Sequence, residues 1–405
     1  MSAAALADAA VRRRILVVGS PPPAGRDLDL LARPEEEDAL ARALAGAGYL
    51  RRRSTWARFA DATADVVDVI PAAEWGARDA LFDDATPLEG FEHLAVAAPH
   101  HELLLAATRF LGPSGRLPAG RAERLAAGAA RDPEAWRQAR SHARAWDAEP
   151  ALDRLEAFLR GEPRRDLRDS AKALSTRLRR PRGVVVALSG VDGSGKSTQA
   201  RALADALHRL GHDVVIQWAP LAGDPWLDAL ARPVKRVLGL VPALRPAPQE
   251  ATGPRGIVPN PGSELRQRSP AVTWAWATLV ALANGVEHAR RAAPSLAGRV
   301  VIFDRYELDS RVRLRLFYGE ERPLRLQRRI IRALSPRPAA AFLLAVDAAV
   351  SLSRKDDKWS PEELERQVRL YHEECAALGV TELDGTRPAG ELAAEIAERV
   401  WRALP

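Results

Sequence analysis

The stretch VVVALSGVDGSGKSTQARALADAL, residues 184–207, limits what this chain can fold into more than any other. Gly190, Gly195, Lys196 and Ser197 satisfy G-x-x-x-x-G-K-[ST], with an apolar run before the motif and an amphipathic helical pattern after it. In that context glycines let the backbone curl so that successive N–H groups point at a phosphate, and the helix N-terminus adds its positive end. The nucleotide-contacting residues expected from the motif are Gly190, Asp192, Gly193, Ser194, Gly195, Lys196, Ser197 and Thr198. Lys196 would reach the β- and γ-phosphates of ATP, and the Ser197 hydroxyl would bind Mg²⁺.

From Gly183 onward, the apolar runs VVVALSG, DVVIQWA, RVVIFDRY and AAFLLAVD alternate with helical patterns. Strands separated by helices predict an α/β fold, a parallel sheet with helices on both faces. Between the second and third runs, residues 241–265 are too rich in proline and glycine for regular structure and are expected to form a mobile loop.

Ahead of this lies almost half of the chain. It begins with RILVVGS, RDLDLLA, a helical EEEDALARALAGAGY and a second apolar strand, ADVVDVI. After Pro99 the apolar residues recur at spacings of three and four, from HHELLLAATRFL to ALDRLEAFLRG, which predicts a helical cap. The stretch 161–183 is charged and ends with proline and glycine, so residues 162–182 have the composition of a linker. The expected organisation is therefore a smaller α/β domain with a helical cap (1–161), a linker (162–182) and a P-loop domain (183–405).

Composition narrows the function classes. No apolar run approaches the roughly 18 residues needed to span a bilayer, so no membrane partner is expected. The lone cysteine, Cys375, cannot form an internal disulfide and suits a reducing cytoplasm. The net charge of +7 is unevenly placed: 28 basic and 27 acidic residues precede residue 181, against 32 and 26 from there on. Since the excess accompanies the phosphate site, anionic phosphates explain it without nucleic acid.

A P-loop alone does not name a reaction. No N-K-x-D follows an apolar strand, which disfavours a GTPase, and the length after the linker suits a compact kinase. VVIFDRYELDS puts Asp304 and Arg305 at the carboxyl end of a strand, where ligands of open α/β sheets gather. An aspartate there can order Mg²⁺ or an acceptor, and the arginine can hold a second phosphate. SLSRKDDKWSPEELERQ then offers Arg354, Lys355 and Lys358 ahead of a helix, a segment able to close over a transferring phosphoryl group.

These residues resemble the thymidylate kinase family of nucleoside monophosphate kinases: SGVDGSGKST its P-loop, DRYELDS its D-R-[YF] strand end, SLSRKDDKWSPEELERQVRLYHE its lid, and TELDGTRPAGELAAEIAERVW its closing loop and helix. The resemblance implies that Asp192 touches the acceptor's sugar hydroxyl, Arg305 holds the acceptor's phosphate, and residues 384–388 lie near the donor adenine. It also implies a homodimer as a possible assembly. On the acceptor side the chain departs from the pattern. QWAPLAGDPW stands where the family carries R-E-P-G-G-T, and Gly285, in ANGVEH, stands where a base-reading arginine is expected. A buried position that needs close helix packing is the other reading of Gly285.

The N-terminal segment resembles the nucleotidyltransferase fold of the DNA polymerase β superfamily, with its G-S turn at Gly19 and Ser20, a D-x-D strand at Asp27 and Asp29, and a third acidic strand at Asp68. Two carboxylates at i and i+2 share one strand face, and a third on a neighbouring strand could join them around Mg²⁺. Only PPPAGR separates Ser20 from Asp27, too short and proline-rich for the helix usual there.

The expected activity is transfer of the γ-phosphoryl of ATP to a nucleoside monophosphate, dTMP first, or to a similar small acceptor. Lys196, Asp304, Arg305, Arg354 and Lys358 would carry the chemistry, with Ser197 and Asp304 at Mg²⁺. The alternatives are an ATP-binding sensor without turnover, and an N-terminal transferase regulated by the P-loop domain.

Overall fold

A computed structural model describes residues 2–19, 25–60, 63–111, 117, 123, 125–127, 132–161, 183–219, 270–319, 324–354 and 359–405. The expected linker, the expected mobile loop, Ser20 and Lys358 lie outside them. The chain divides into two compact units, Met1–Arg58 with Ala64–Arg180 and Phe59–Thr63 with Pro181–Pro405.

In the first unit, α1 (Ala3–Ala10) is followed by β1 (Ile15–Val17), β2 (Leu28–Ala32), α2 (Pro34–Gly46), β3 (Leu50–Arg52), β4 (Thr55–Ala60) and β5 (Thr63–Pro71). Then come α3 (Asp79–Asp83), β6 (Thr86–Pro87), β7 (Leu94–Val96), α4 (Pro99–Leu105) with a π-helical turn to Phe110, α5 (Pro133–Ala145) and α6 (Glu149–Leu159). The strands form one mixed sheet in the order β3-β4-β5-β2-β1-β7-β6. Two-residue periodicity sorts β1 between its faces. Ile15 and Val17 join α1 and α2 residues such as Ala7, Leu40 and Leu44, while Leu16 and Val18 join Leu81 and Phe82. α2 opens with Pro34 and three glutamates in its first turn, where the missing N–H costs nothing and acidic charge meets the positive helix end. A separate apolar cluster, from Leu103 and Leu104 to Ala139, Ala143, Leu152 and Leu155, holds α4, α5 and α6 together.

The second unit contains β8 (Val185–Ser189), α7 (Lys196–Arg209), β9 (Val214–Trp218), α8 (Pro270–Ala292), β10 (Val300–Asp304), α9 (Glu307–Tyr318) and α10 (Arg325–Leu334). It ends with β11 (Ala340–Ala345), α11 (Ala348–Arg354), α12 (Pro361–Leu378), β12 (Thr381–Asp384) and α13 (Ala389–Ala403). Its sheet is parallel throughout, in the order β12-β11-β8-β10-β9. Every residue of β8 and β10 is buried, and because successive side chains point to opposite faces, both faces of the sheet are covered. The segment expected only as a closing loop and helix contributes the edge strand β12 as well. α12 starts with a reciprocal cap: Ser360 Oγ accepts the Glu363 N–H, and the Glu363 carboxylate accepts the Ser360 N–H. Among the described residues, no helix is long and apolar enough to cross a membrane.

Candidate active site

β8 and β10 are neighbours in the middle of the second sheet, and their carboxyl ends form the site. Asp304 pairs with Leu188 in register, and the Arg305 N–H donates to the Leu188 carbonyl at 3.0 Å. The loop after β8 turns through positive φ at Gly190, Gly193 and Gly195. A side chain at Gly190 would put Cβ 2.7 Å from Ser194 Oγ and 2.8 Å from the Leu344 carbonyl, so only glycine lets the loop pass. Gly195 caps α7, whose first residue is Lys196 and whose first N–H groups face the loop.

The Lys196 side chain is folded into the loop. Its Nζ donates to the carbonyls of Gly190 at 2.9 Å and Val191 at 2.7 Å. Burial, with Arg305 adding like charge, pushes its ammonium down to about 8, against the pull of Asp309, Asp304 and Asp192. Phosphate oxygens offered to this group would replace neutral carbonyls with anions.

Ser197 Oγ donates to Asp304 Oδ2 at 2.5 Å. Asp304 is buried, and its other oxygen, Oδ1, has no partner among the described residues. A hydroxyl and a half-satisfied carboxylate side by side are hard oxygen donors, the set that Mg²⁺ takes. The residues present therefore fit this ion.

Arg305 combines positive φ with an ion pair to Asp192 in the loop. Strained backbone of this kind persists where the surroundings fix a side chain. Arg313, almost two turns into α9, is a residue the sequence reading did not single out. Burial first, and then the charge of Arg305, lower its guanidinium, so it lies within electrostatic reach of Arg305. Behind them Asp309 is fully buried: it accepts from Ser189 Oγ at 2.6 Å, from the Tyr306 N–H at 2.9 Å and from the Tyr371 hydroxyl at 2.7 Å. This network ties β8, α9 and α12 together under the loop. Its one sequence signal is an aspartate three residues into a helix that follows DRY.

Arg354 ends α11 and donates to the Gly385 carbonyl at 3.0 Å. A Cβ at Gly193 would lie 3.6 Å from Arg354 Cβ, so this arginine borders the loop. Gly385 is tied to β11 through the Ala345 carbonyl, and Gln199 of α7 reaches the Ala389 carbonyl at 3.0 Å, which brings residues 384–389 against the same helix. The structure thus gathers Gly190, Asp192, Gly193, Ser194, Gly195, Lys196, Ser197, Thr198, Asp304, Arg305 and Arg354 around one sheet end.

Gly285 has a packing role. A Cβ there would stand 2.6 Å from Leu334 Cβ, so α8 and α10 approach as closely as they do because position 285 has no side chain. In the first unit, Asp29 pairs in register with Asp68, and ligand atoms of Asp27, Asp29 and Asp68 lie within 4.8 Å of one another. Asp27 precedes β2 instead of lying within it. Burial raises the Asp68 carboxyl, a hydrogen bond from Thr55 lowers it, and Asp27 raises it further.

No protein-family profile matches the chain. It is 29% identical over 234 residues to the thymidylate kinase of Ruegeria pomeroyi, a match covering 55% of this chain and 96% of that protein. It is 30% identical over 206 residues to the probable thymidylate kinase of Pyrococcus abyssi, covering 49% and 84%, and 30% over 193 residues to that of Thermococcus kodakarensis, covering 45% and 80%. The relatives are matched over most of their length by about half of this chain, and its phosphate loop, DRY strand end and parallel sheet have the arrangement expected of such an enzyme; the chain belongs to the thymidylate kinase family.

Proposed function

We propose that the second unit transfers the γ-phosphoryl group of ATP to the phosphate of a nucleoside monophosphate, with dTMP the first candidate. The observation that carries this is the juxtaposition of Lys196, the Ser197–Asp304 pair and the Arg305–Asp192 ion pair at one sheet end. In the transfer, an acceptor phosphate oxygen forms a bond to the γ-phosphorus as the bond to the β,γ-bridging oxygen breaks, leaving ADP. Little covalent work falls to the protein, so its contribution is positioning and charge.

Loop N–H groups and the α7 N-terminus would hold the donor phosphates. Lys196 would leave the Gly190 and Val191 carbonyls to follow the charge that spreads over the transferring group. Ser197 and Asp304 would hold Mg²⁺, which would offset the negative charge of the donor phosphates. Arg305, fixed by Asp192, would hold the acceptor phosphate, with Arg313, within its electrostatic reach, supplying the grip that the QWAPLAGDPW segment lacks. Arg354 would border the transferring group from the lid side, and Lys358 would complete that side. The apolar side chains of Trp274, Leu282 and Val286, exposed on α8, suit a second copy of the chain.

ADP release that depends on both an added nucleoside monophosphate and Lys196 tests the assignment. Arg313→Ala should raise KM for the acceptor well before it changes KM for ATP.

The convergence of Asp27, Asp29 and Asp68 supports a second reading for the first unit, a divalent-cation site of the nucleotidyltransferase kind. Loss of Mn²⁺ binding in Asp29→Asn, with Lys196-dependent ADP release intact, would support it. Unchanged Mn²⁺ binding would contradict it.

A further inference from the structure

The first unit holds another cluster, far in sequence from the three aspartates and built from different chemistry. Asp84 caps the C-terminus of α3, His100 and His101 lie in the first turn of α4, and His142 lies in the last turn of α5. One ligand atom from each of the four falls within 4.8 Å of all the others. Asp84 Oδ2 is 3.6 Å from His100 Nε2 and 4.0 Å from His101 Nδ1. The three imidazoles face one another, with ring centres 4.1 to 5.2 Å apart.

A second observation is independent of this proximity. His101 is completely buried, and neither ring nitrogen has a hydrogen-bond partner among the described residues. Burying a polar ring without partners costs free energy, and most such groups in folded proteins are satisfied. Trp146 stacks on this ring, 5.3 Å away and within 9° of parallel, and fixes its orientation. A hydrogen-bonded core histidine would show a carbonyl, hydroxyl or carboxylate at contact distance. Here the carboxylate on the Nδ1 side, that of Asp84, stands 4.0 Å away, beyond hydrogen-bond reach.

We propose that His100, His101, His142 and Asp84 bind one Zn²⁺ ion, which clamps α4 and α5 to the turn after α3. Three imidazole nitrogens and one carboxylate form a four-donor set suited to tetrahedral zinc, whose bonds to nitrogen and oxygen are about 2.0–2.2 Å. The four ligand atoms would have to close by roughly 1 Å to reach such a shell, within the reach of side-chain rotation at the half-exposed Asp84. That exposure gives the ion a way in, and the Asp84 carboxylate offsets part of its charge. The tie joins the sheet side of the unit, where α3 packs, to the helical cluster of α4 and α5.

The test uses tag-free, full-length protein stripped with a chelator, titrated with Zn²⁺ against a chromophoric competitor, with Co²⁺ as the spectroscopic probe. The expected result is one zinc per chain, a four-coordinate Co²⁺ spectrum, and a Tm that rises on zinc addition. Asp84→Asn and His142→Asn, at the more exposed ligands, should weaken zinc at least about 100-fold, since losing even an outer-shell partner costs ~10–100-fold. Both should keep the far-UV circular dichroism of the parent. Asp29→Asn should leave zinc affinity unchanged. Absence of stoichiometric zinc, affinity unaltered in both ligand variants, or zinc lost in Asp29→Asn instead would each overturn the proposal.

Discussion

Ser197 Oγ and Asp304 Oδ2 lie 2.5 Å apart, while the second oxygen of the same carboxylate is buried with no partner among the described residues. A protein selected for stability alone would not leave that oxygen so. On the proposed reading the stored cost would be recovered when a cation arrives, which would link the geometry to activity instead of folding. Asp304→Asn should therefore leave Tm unchanged or slightly raised without Mg²⁺, yet cut Mg²⁺-dependent turnover by about 10²–10³-fold. Thermal melts and Mg²⁺ titrations of turnover read both halves. A variant that is less stable and fully active would show that the pair is structural.

Lys196 should make nucleotide binding depend on pH. In the resting loop its ammonium sits at about 8, held down by burial and by Arg305. Bound phosphates would raise it, so above pH 8 binding takes up a proton and affinity falls as pH rises, while below that the lysine is already charged and the dependence flattens. Calorimetry at about pH 9 in buffers of different ionisation enthalpy should show proton uptake approaching one per ATP. Lys196→Ala should show none from this group.

Gly285 lets α8 and α10 meet, so Gly285→Ala should destabilise the chain by about 1–3 kcal/mol through overpacking. Leu334→Ala in the same chain should recover part of that loss, and denaturant unfolding of the double-mutant cycle measures it. For the same reason Gly285→Arg should disturb the fold and fail to install a base-reading side chain.

The Asp309 network should behave as one unit. Asp309→Asn turns an acceptor of three hydrogen bonds into a group that cannot accept all of them, at a cost of about 2–4 kcal/mol. Tyr371→Phe removes one donor and should cost less. Unfolding free energies of the two single variants and the double variant should be non-additive. Simple additivity would mean that the three bonds are independent.

The second unit was more legible in the sequence than the first, for physical reasons. β8 and β10 are continuous apolar runs because both faces of a parallel strand are buried, and a full phosphate-binding motif needs its residues consecutively. β3, β6 and β7 are short strands of a mixed sheet, two of them three residues and one of them two, and they carry too few alternations to register as strands, while the six residues of β4, TWARFA, show no strict apolar–polar alternation. β12 was hidden for a similar reason: four residues in which only Leu383 is buried. The Asp27, Asp29 and Asp68 trio could be read from the strand pattern because two of its members are neighbours. The histidine cluster and the Asp309–Tyr371 contact could not, since each joins residues that only tertiary packing brings together. Gly285 shows the reverse case, in which a departure from the family pattern that looks like lost specificity is also a requirement of helix packing.

The central claim is tested most directly by the product formed from ATP, Mg²⁺ and each of a panel of nucleoside monophosphates, with Lys196→Ala as the control. The account predicts ADP and the matching nucleoside diphosphate in equal amounts, with dTMP the preferred acceptor and turnover lost in Lys196→Ala. ATP binding without diphosphate formation from any member of the panel would contradict it.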